Sequence, residues 1–508
     1  MKGRGALLEA ALAALFGIGV LHWLYVFGWL TPGFAGMSFN VADWPKEVRY
    51  YVALQQAIVD GRIPWYVSKS IQDTRKFLAN PEVPWSPDVL LLRFVGIEVF
   101  LVLKVLSWYS VGFAGLLLIR RRYALSLPPF TVLFLLFAMN GHIVAHLAIG
   151  HSMWTGYFLL PFVFLYLMDI LEGATTTAPA KLALVLFLML LQGSLHIFVS
   201  CLLLITLSAV FRRGAWKPLL VALLWTAALG ACRLVPAAVV LFGKMDQVFI
   251  SGYASAADLL AAFVRIRPIT TPRQGGLFGT LNWWEFDIYL GVAGLAWVLW
   301  FGILLRFKGA EARRFAALDG PLAIIALLSL DDVYAPINRL GIPLLSGERV
   351  SSRLLIIPLA FLLVIAAVRM QRVLEASSRR PLDRALAVAA AVVIALGLAA
   401  HSHAWSLPVL ERISPPPPHA RDLGIAILDS GVLEPTARDT AYLWSVSAGL
   451  AVSVVALVAA GWRLRGRRPP SPPPPASATP RGPKAEATHL RFHNLVATRR
   501  GFRGPRER

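Results

Sequence analysis

Charge and cysteine are both scarce in this chain. Only 15% of its 508 residues are charged, against about 25% in ordinary soluble domains. The two cysteines, Cys201 and Cys232, lie in apolar stretches and fit neither a disulfide framework nor a metal motif. They read as small buried residues. Acids are fewer than bases, 28 Asp and Glu against 49 Lys and Arg, so the formal charge is +21. The sequence also has no repeat of fixed period and no matched pair of Gly/Pro-broken helices in two halves, which argues against a secondary-transporter plan.

What is abundant is apolar. Hydrophobic residues make up 57% of the chain. They fall in blocks of about 20 residues, the length that spans the ~30 Å core of a bilayer as a helix. The expected fold class is therefore all-α, a polytopic transmembrane bundle of about twelve spans. The candidate spans are 6–30, 89–119, 125–140, 153–171, 180–192, 195–211, 217–241, 287–305, 315–330, 353–371, 383–400 and 441–462. The fifth and sixth are short and separated only by Gln192, Gly193 and Ser194, so they read either as one helix or as a hairpin. The first block follows Lys2 and Arg4, and no small-residue cleavage site follows it at Thr31 to Phe34, so it reads as an uncleaved span.

Basic residues set an expected orientation. They cluster at Arg120 to Arg122, at Arg212, Arg213 and Lys217, and at Arg306, Lys308, Arg313 and Arg314. Two further clusters run from Arg369 to Arg384 and from Arg463 to Arg468. An even number of spans puts all five on the cytoplasmic side with both termini. The longer segments 31–88, 242–286, 331–352 and 401–440, with the short turn 141–152, then face outward. From Arg463 onward there are 12 Lys and Arg against Glu486 and Glu507, a balance of +10. Residues 1–462 thus read as the transmembrane domain and 463–508 as a disordered, Pro/Arg-rich cytoplasmic tail held near anionic lipid. Membrane lipids are the expected partner of that tail, and nucleic acid is not. The expected location is a bacterial cytoplasmic (inner) membrane.

The stretch Asn40 to Glu47 is the most informative. Asp43 stands about ten residues beyond the first span, where a carboxylate can serve as general base on a hydroxyl or hold a divalent cation. It can equally be the cap of a helix that opens at Trp44-Pro45. Residues 47–58 have helical spacing and mixed polarity, as in an amphipathic helix lying on the interface.

The order of several short motifs resembles the GT-C superfamily of membrane glycosyltransferases, and most closely its bacterial YfhO-like branch. These motifs are Ala42-Asp43-Trp44-Pro45, Gly61 to Trp65, Gly150 to Trp154 leading to Leu160-Pro161, Trp284 to Gly291, and Ser346 to Arg353. The resemblance implies a polyprenyl-phosphate sugar donor, inverting transfer at the outer face, and a first-loop aspartate as the catalytic acid-base residue. Asp43 is the matching position. Many members carry two adjacent acids there, whereas this chain has Asp43 with Glu47 four residues on. That spacing bears on the expected divalent cation, Mg or Mn.

Other candidates follow from residue chemistry. His142 and His146 are four apart, on one helical face, with His151 nearby. They read as a metal pair, as head-group donors, or as histidines tolerated at a wet helix end. His196 beside Gln192 points to the same cavity, because polar groups inside spans rarely face lipid. Arg349 and Arg353 suit a lipid phosphate through their planar fork, or else they anchor a helix end. Glu285 is either a second acid facing Asp43 or, with Asp287, a first-turn acid on a helix dipole. The function expected from all this is transfer of a sugar to a lipid, glycan or protein acceptor. A flippase for a lipid-linked glycan and a non-catalytic envelope-assembly protein are the alternatives.

Overall fold

A computed structural model describes residues 2–37, 39, 41–71, 74–241, 249–266, 273–274, 280–305, 310–342, 345–377, 380–413, 432–433 and 439–465. The apolar blocks form helices. They are α1 (Lys2–Val26), α2 (Trp44–Asp60), α3 (Ile97–Arg122), α4 (Leu127–Ala138), α5 (Gly141–Ala148), α6 (Leu160–Leu171) and α7 (Ala178–Leu191). Next come α8 (Leu195–Phe211), α9 (Trp216–Leu229), α10 (Ala231–Leu241), α11 (Ala256–Val264), α12 (Gly291–Trp297) and α13 (Ala310–Leu328). The last are α14 (Asp331–Asn338), α15 (Ile356–Ala376), α16 (Arg380–Ala404), α17 (Leu407–Ile413) and α18 (Thr440–Arg465). Proline occupies the first turn of α2, α4, α6 and α7. Its fixed φ suits that position, and its missing N–H is no loss there.

Among the described residues, seven segments are long and apolar enough to cross a membrane: Gly5–Val26, Ile97–Arg122, Leu127–Ala148, Ser152–Leu171, Ser351–Ala376, Pro381–Ala404 and Thr440–Arg465. This is a helical membrane protein; these seven segments do not by themselves confirm the twelve spans that the apolar blocks predict. The pair Leu195–Phe211 and Arg213–Leu229 makes an eighth only if a 117° bend is accepted within one span. The block 217–241 breaks at Gly230 into α9 and α10, and 180–192 yields a helix of only 14 residues. Of these short helices α7 is mostly buried, whereas α9 and α10 leave apolar side chains such as Leu224 and Val239 exposed. The histidine turn is also relocated. Instead of an outer turn, His142 and His146 sit on α5, within the apolar segment Leu127–Ala148.

The bundle has two chemically different ends. The segments Ile97–Arg122, Ser152–Leu171, Leu195–Phe211 and Ser351–Ala376 run from the Asp43 end to the basic turns. Arg122 pairs with Asp169 and, at 2.8 Å, with Glu172. Arg314 reaches Glu172 at 2.9 Å, and Arg463 donates to the Thr176 carbonyl. Three of the basic clusters therefore meet at one end. Residues Met1–Leu464 form one body, and the rest of the tail, 466–508, lies outside the described residues.

At the other end, the segment after α1 packs into the protein. Most of α2 is buried, and Tyr51 meets the ring of Phe100, so one face of this helix is docked in protein. Strand β1 (Tyr66–Ile71) pairs antiparallel with β2 (Thr74–Lys76) and with β5 (Val432–Leu433). Between them in sequence, β3 (Arg273–Gln274) pairs with β4 (Thr280–Leu281). Tyr442 of α18 donates to the Trp65 carbonyl at 2.9 Å and accepts from Leu78 N–H at 3.1 Å. The late segment thereby closes over the first one. Pro415 to Pro418 lie outside the described residues.

Gly150 joins these parts. Its φ is +104°, and a Cβ there would meet Trp44 N at 2.6 Å. Gly150→Ala is therefore expected to lower the thermal midpoint of the purified protein by the equivalent of about 1–3 kcal/mol from backbone strain alone. A midpoint equal to wild type in a detergent melt would contradict this packing.

Candidate functional site

The turn before α2 aims Asp43 away from that helix. An N-cap whose side chain bonds the helix needs extended backbone, but Asp43 has φ −92° and ψ 1° and makes no side-chain cap bond. Its main-chain carbonyl accepts from Lys46 and Glu47 N–H instead. Asp43 thus takes the expected N-cap position of a helix opening at Trp44-Pro45, but its side chain does not make the cap bond. The preceding Ala42 stands at φ +50°, a strained conformation for a residue with a side chain. Two bonds hold the turn, Asp43 N–H to the Ile149 carbonyl at 3.0 Å and Trp44 Nε1 to the Ala148 carbonyl at 2.9 Å.

This places the Asp43 carboxylate on His151, with Oδ2 2.6 Å from Nε2. Asp43 is 42% exposed at its side chain, whereas His151 is 5% exposed. The imidazole thus forms a wall behind an open carboxylate. On its inner side, His151 Nδ1 lies 2.7 Å from His146 Nδ1, so one proton is shared between the two rings. His146 is fully buried, its ring centre 4.3 Å from that of His142 and 4.3 Å from that of Trp154. The expectation of one helical face holds for His142 and His146. Nε2 of each is buried without a hydrogen-bond partner.

Burial would raise the Asp43 pKa. The His151 hydrogen bond and the charges of His151, Lys46 and Arg353 outweigh it and hold the carboxyl below its usual range. Asp43 is thus an ionised, partly open carboxylate.

A second group of charges lies alongside. Lys46 Nζ is 2.7 Å from Glu82, which is 3.8 Å from His196 Nε2. His196 Nδ1 is 2.7 Å from Glu348, and Arg353 lies 3.6 Å from the same carboxylate. Arg353 then grips Glu285 with two bonds of 2.7 Å. For Glu82, Glu285 and Glu348 burial alone would favour the neutral acid. Lys46 and His196 around Glu82, Arg353 beside Glu285, and His196 and Arg353 around Glu348 reverse this and keep all three ionised. Glu285 is therefore a partner of Arg353 and not a helix-dipole acid. Asp287 is fully buried and accepts from His401 and Trp405, each at 2.9 Å. It too does not serve as a dipole acid.

Arg349 stands apart. It is exposed, and no side-chain partner for its guanidinium occurs among the described residues. Its main-chain carbonyl accepts from Ile250 and Ser251, which fixes where the side chain starts. Of the two arginines read as phosphate ligands, Arg353 is committed to acids and Arg349 is free.

Glu47 is 1% exposed and accepts from Ser152 Oγ at 2.6 Å. Burial is the main cause that pushes its pKa up to about 8. The expected divalent cation finds no matching donor set. Among the described residues no three His, Cys, Asp or Glu side chains gather as metal ligands. Each acid near Asp43 already has a cation or a hydroxyl.

Sequence reasoning brought Asp43, His151, Glu285, Arg353 and His196 to one place and missed Lys46, Glu82, Glu348 and Trp154 as parts of it. Glu82 carried a faint signal, an acid between Pro81 and Pro84 just before Trp85. Trp154 stacks over His146 and, at 6.1 Å, beside His196, which links the two groups.

The raised pKa of Glu47 gives a signed prediction. The folded state holds this proton up to about pH 8, while the unfolded chain releases it near the ordinary glutamate value of 4.5. Stability from this group is fully present below pH 4.5 and is lost as pH rises through 8. Glu47→Gln should remove that loss, so the variant gains on wild type between pH 5 and 9. Parallel melting-versus-pH curves for the two proteins would refute it.

No protein-family model, curated protein or solved structure matches this chain.

Proposed function

We propose that this protein is a GT-C-type glycosyltransferase that moves a sugar from a polyprenyl-phosphate donor to a hydroxyl acceptor at the outer face of a bacterial cytoplasmic membrane. The observation that carries the reading is Asp43. It is ionised, half open, backed by a buried imidazole and fixed beside a strained turn at the end of an apolar bundle. A lipid-linked donor keeps its tail in the bilayer and its sugar in water, so a site at a bundle end suits it.

The acceptor hydroxyl oxygen forms the new bond to the anomeric carbon. The bond from that carbon to the phosphate oxygen breaks, and the polyprenyl phosphate leaves with the electron pair. Asp43 is too weak a base to ionise the hydroxyl in advance. It orients the hydroxyl and takes the proton as the new bond forms, when the oxygen has become acidic. His151 donates to Oδ2, which leaves Oδ1 for the acceptor. Arg349 supplies the unpaired cation for the departing phosphate. Glu285, Glu348 and His196 hold Arg353 and shape the sugar side. His142 and His146 act behind His151, since neither is exposed.

Asp43→Asn is expected to lower sugar release from a polyprenyl-phosphate donor by about 10²–10⁴-fold. The melting temperature should stay close to wild type, because Asp43 makes its helix contacts through the main chain. Unchanged turnover by purified Asp43→Asn protein would sink the assignment.

A further inference from the structure

Arg233 is the buried cation that the site does not use. It lies in the first turns of the apolar helix α10 and is 3% exposed. Its NH2 donates to the carbonyls of Asn80 at 2.8 Å and Val83 at 2.6 Å, and its guanidinium rests 5.6 Å from the ring centre of Trp85. Nε and NH1 are buried without a hydrogen-bond partner. No carboxylate pairs with it among the described residues. An arginine buried without a counter-charge is strongly unfavourable, and such a group calls for an anionic partner.

Arg233 also lines a groove of about 260 Å³. Leu450, Val454 and Leu457 of α18 form one wall, and Phe187 and Leu191 of α7 form another. Leu450, Val454 and Leu457 are about half exposed, so the groove opens on the flank of the bundle. It is separated from Asp43 by residues 80–83, whose Glu82 faces the other way onto Lys46. The groove thus joins an apolar channel, open to lipid, with one uncompensated cation at its end. That is the complement of an acyl chain ending in an anionic head group.

We infer that this groove holds a resident anionic phospholipid of the bilayer, with an acyl chain along α7 and α18 and its head group at the Arg233 end, where a small shift of the side chain brings its unpartnered Nε and NH1 to the phosphate. The lipid is a structural ligand, distinct from the sugar donor. It supplies the negative charge that the protein withholds, and it fixes residues 80–83 from behind through Arg233.

The test uses the full-length protein in nanodiscs of phosphatidylcholine mixed with equal parts of phosphatidylglycerol, followed by native mass spectrometry of retained lipid. Wild type should retain phosphatidylglycerol over phosphatidylcholine by about 10- to 100-fold, the range a charge-assisted contact gives. Arg233→Gln should bring the two to parity. Leu450→Trp leaves the cation in place but obstructs the groove, and should also reduce retention, which keeps the test decisive if Arg233→Gln does not fold. No preference in wild type would overturn the inference. So would an undiminished preference in both variants, or selective retention of added polyprenyl phosphate in place of phosphatidylglycerol.

Discussion

The structure around Asp43 depends on charge compensation where water is scarce. Glu82, Glu285 and Glu348 are enclosed beside apolar helices, and each stays ionised only because Lys46, His196 and Arg353 lie against them. Removing one member of such a set leaves a stranded charge, which costs about 3–5 kcal/mol. The set therefore acts as a unit. It ties together the first segment, α8 and the start of α15, elements that are far apart in sequence. Asp43 is the carboxylate beside this unit that remains partly open.

The same logic recurs deeper in the bundle. Lys104 of α3 is fully buried, yet it reaches Gln192 at 2.6 Å and Asp88 at 3.3 Å, and Gln192 also accepts from Thr155. Asn140 donates to the carbonyls that end α4 and accepts from Ile143 at the start of α5. These groups satisfy the helix break that puts the histidines in line. Polar residues in the apolar blocks thus serve as joints between helices, and the joints set the direction of the imidazole stack.

Much of this was legible in the sequence, for definite reasons. The spacing of His142 and His146 fixes a shared face whatever surrounds them. The helix order brings Asp43 and His151 to the same end of the bundle, and there they meet. What was not legible is pairing across distance. Nothing local to Glu82 names Lys46 as its partner, and Glu348 gave no hint of His196. The count of twelve is not confirmed among the described residues, because hydropathy does not distinguish a straight helix from one bent at Arg212 or broken at Gly230. Asp43 does occupy the N-cap of α2, but the turn closes through main-chain bonds and not through its carboxylate, a backbone detail that residue type does not carry.

The pairing of β1 with β5 has a consequence for how the molecule is made. Tyr66 and Val67 find their partners at Leu433 and Val432, and the Trp65 carbonyl waits for Tyr442. A chain emerging from the ribosome inserts α1 and presents the aspartate segment almost at once. The edge of β1 then stays bare until nearly the last helix has entered the bilayer. Maturation of the Asp43 region is thus tied to the arrival of β5, and a chain interrupted before Val432 carries an unprotected edge on β1 where a longer one carries a closed sheet.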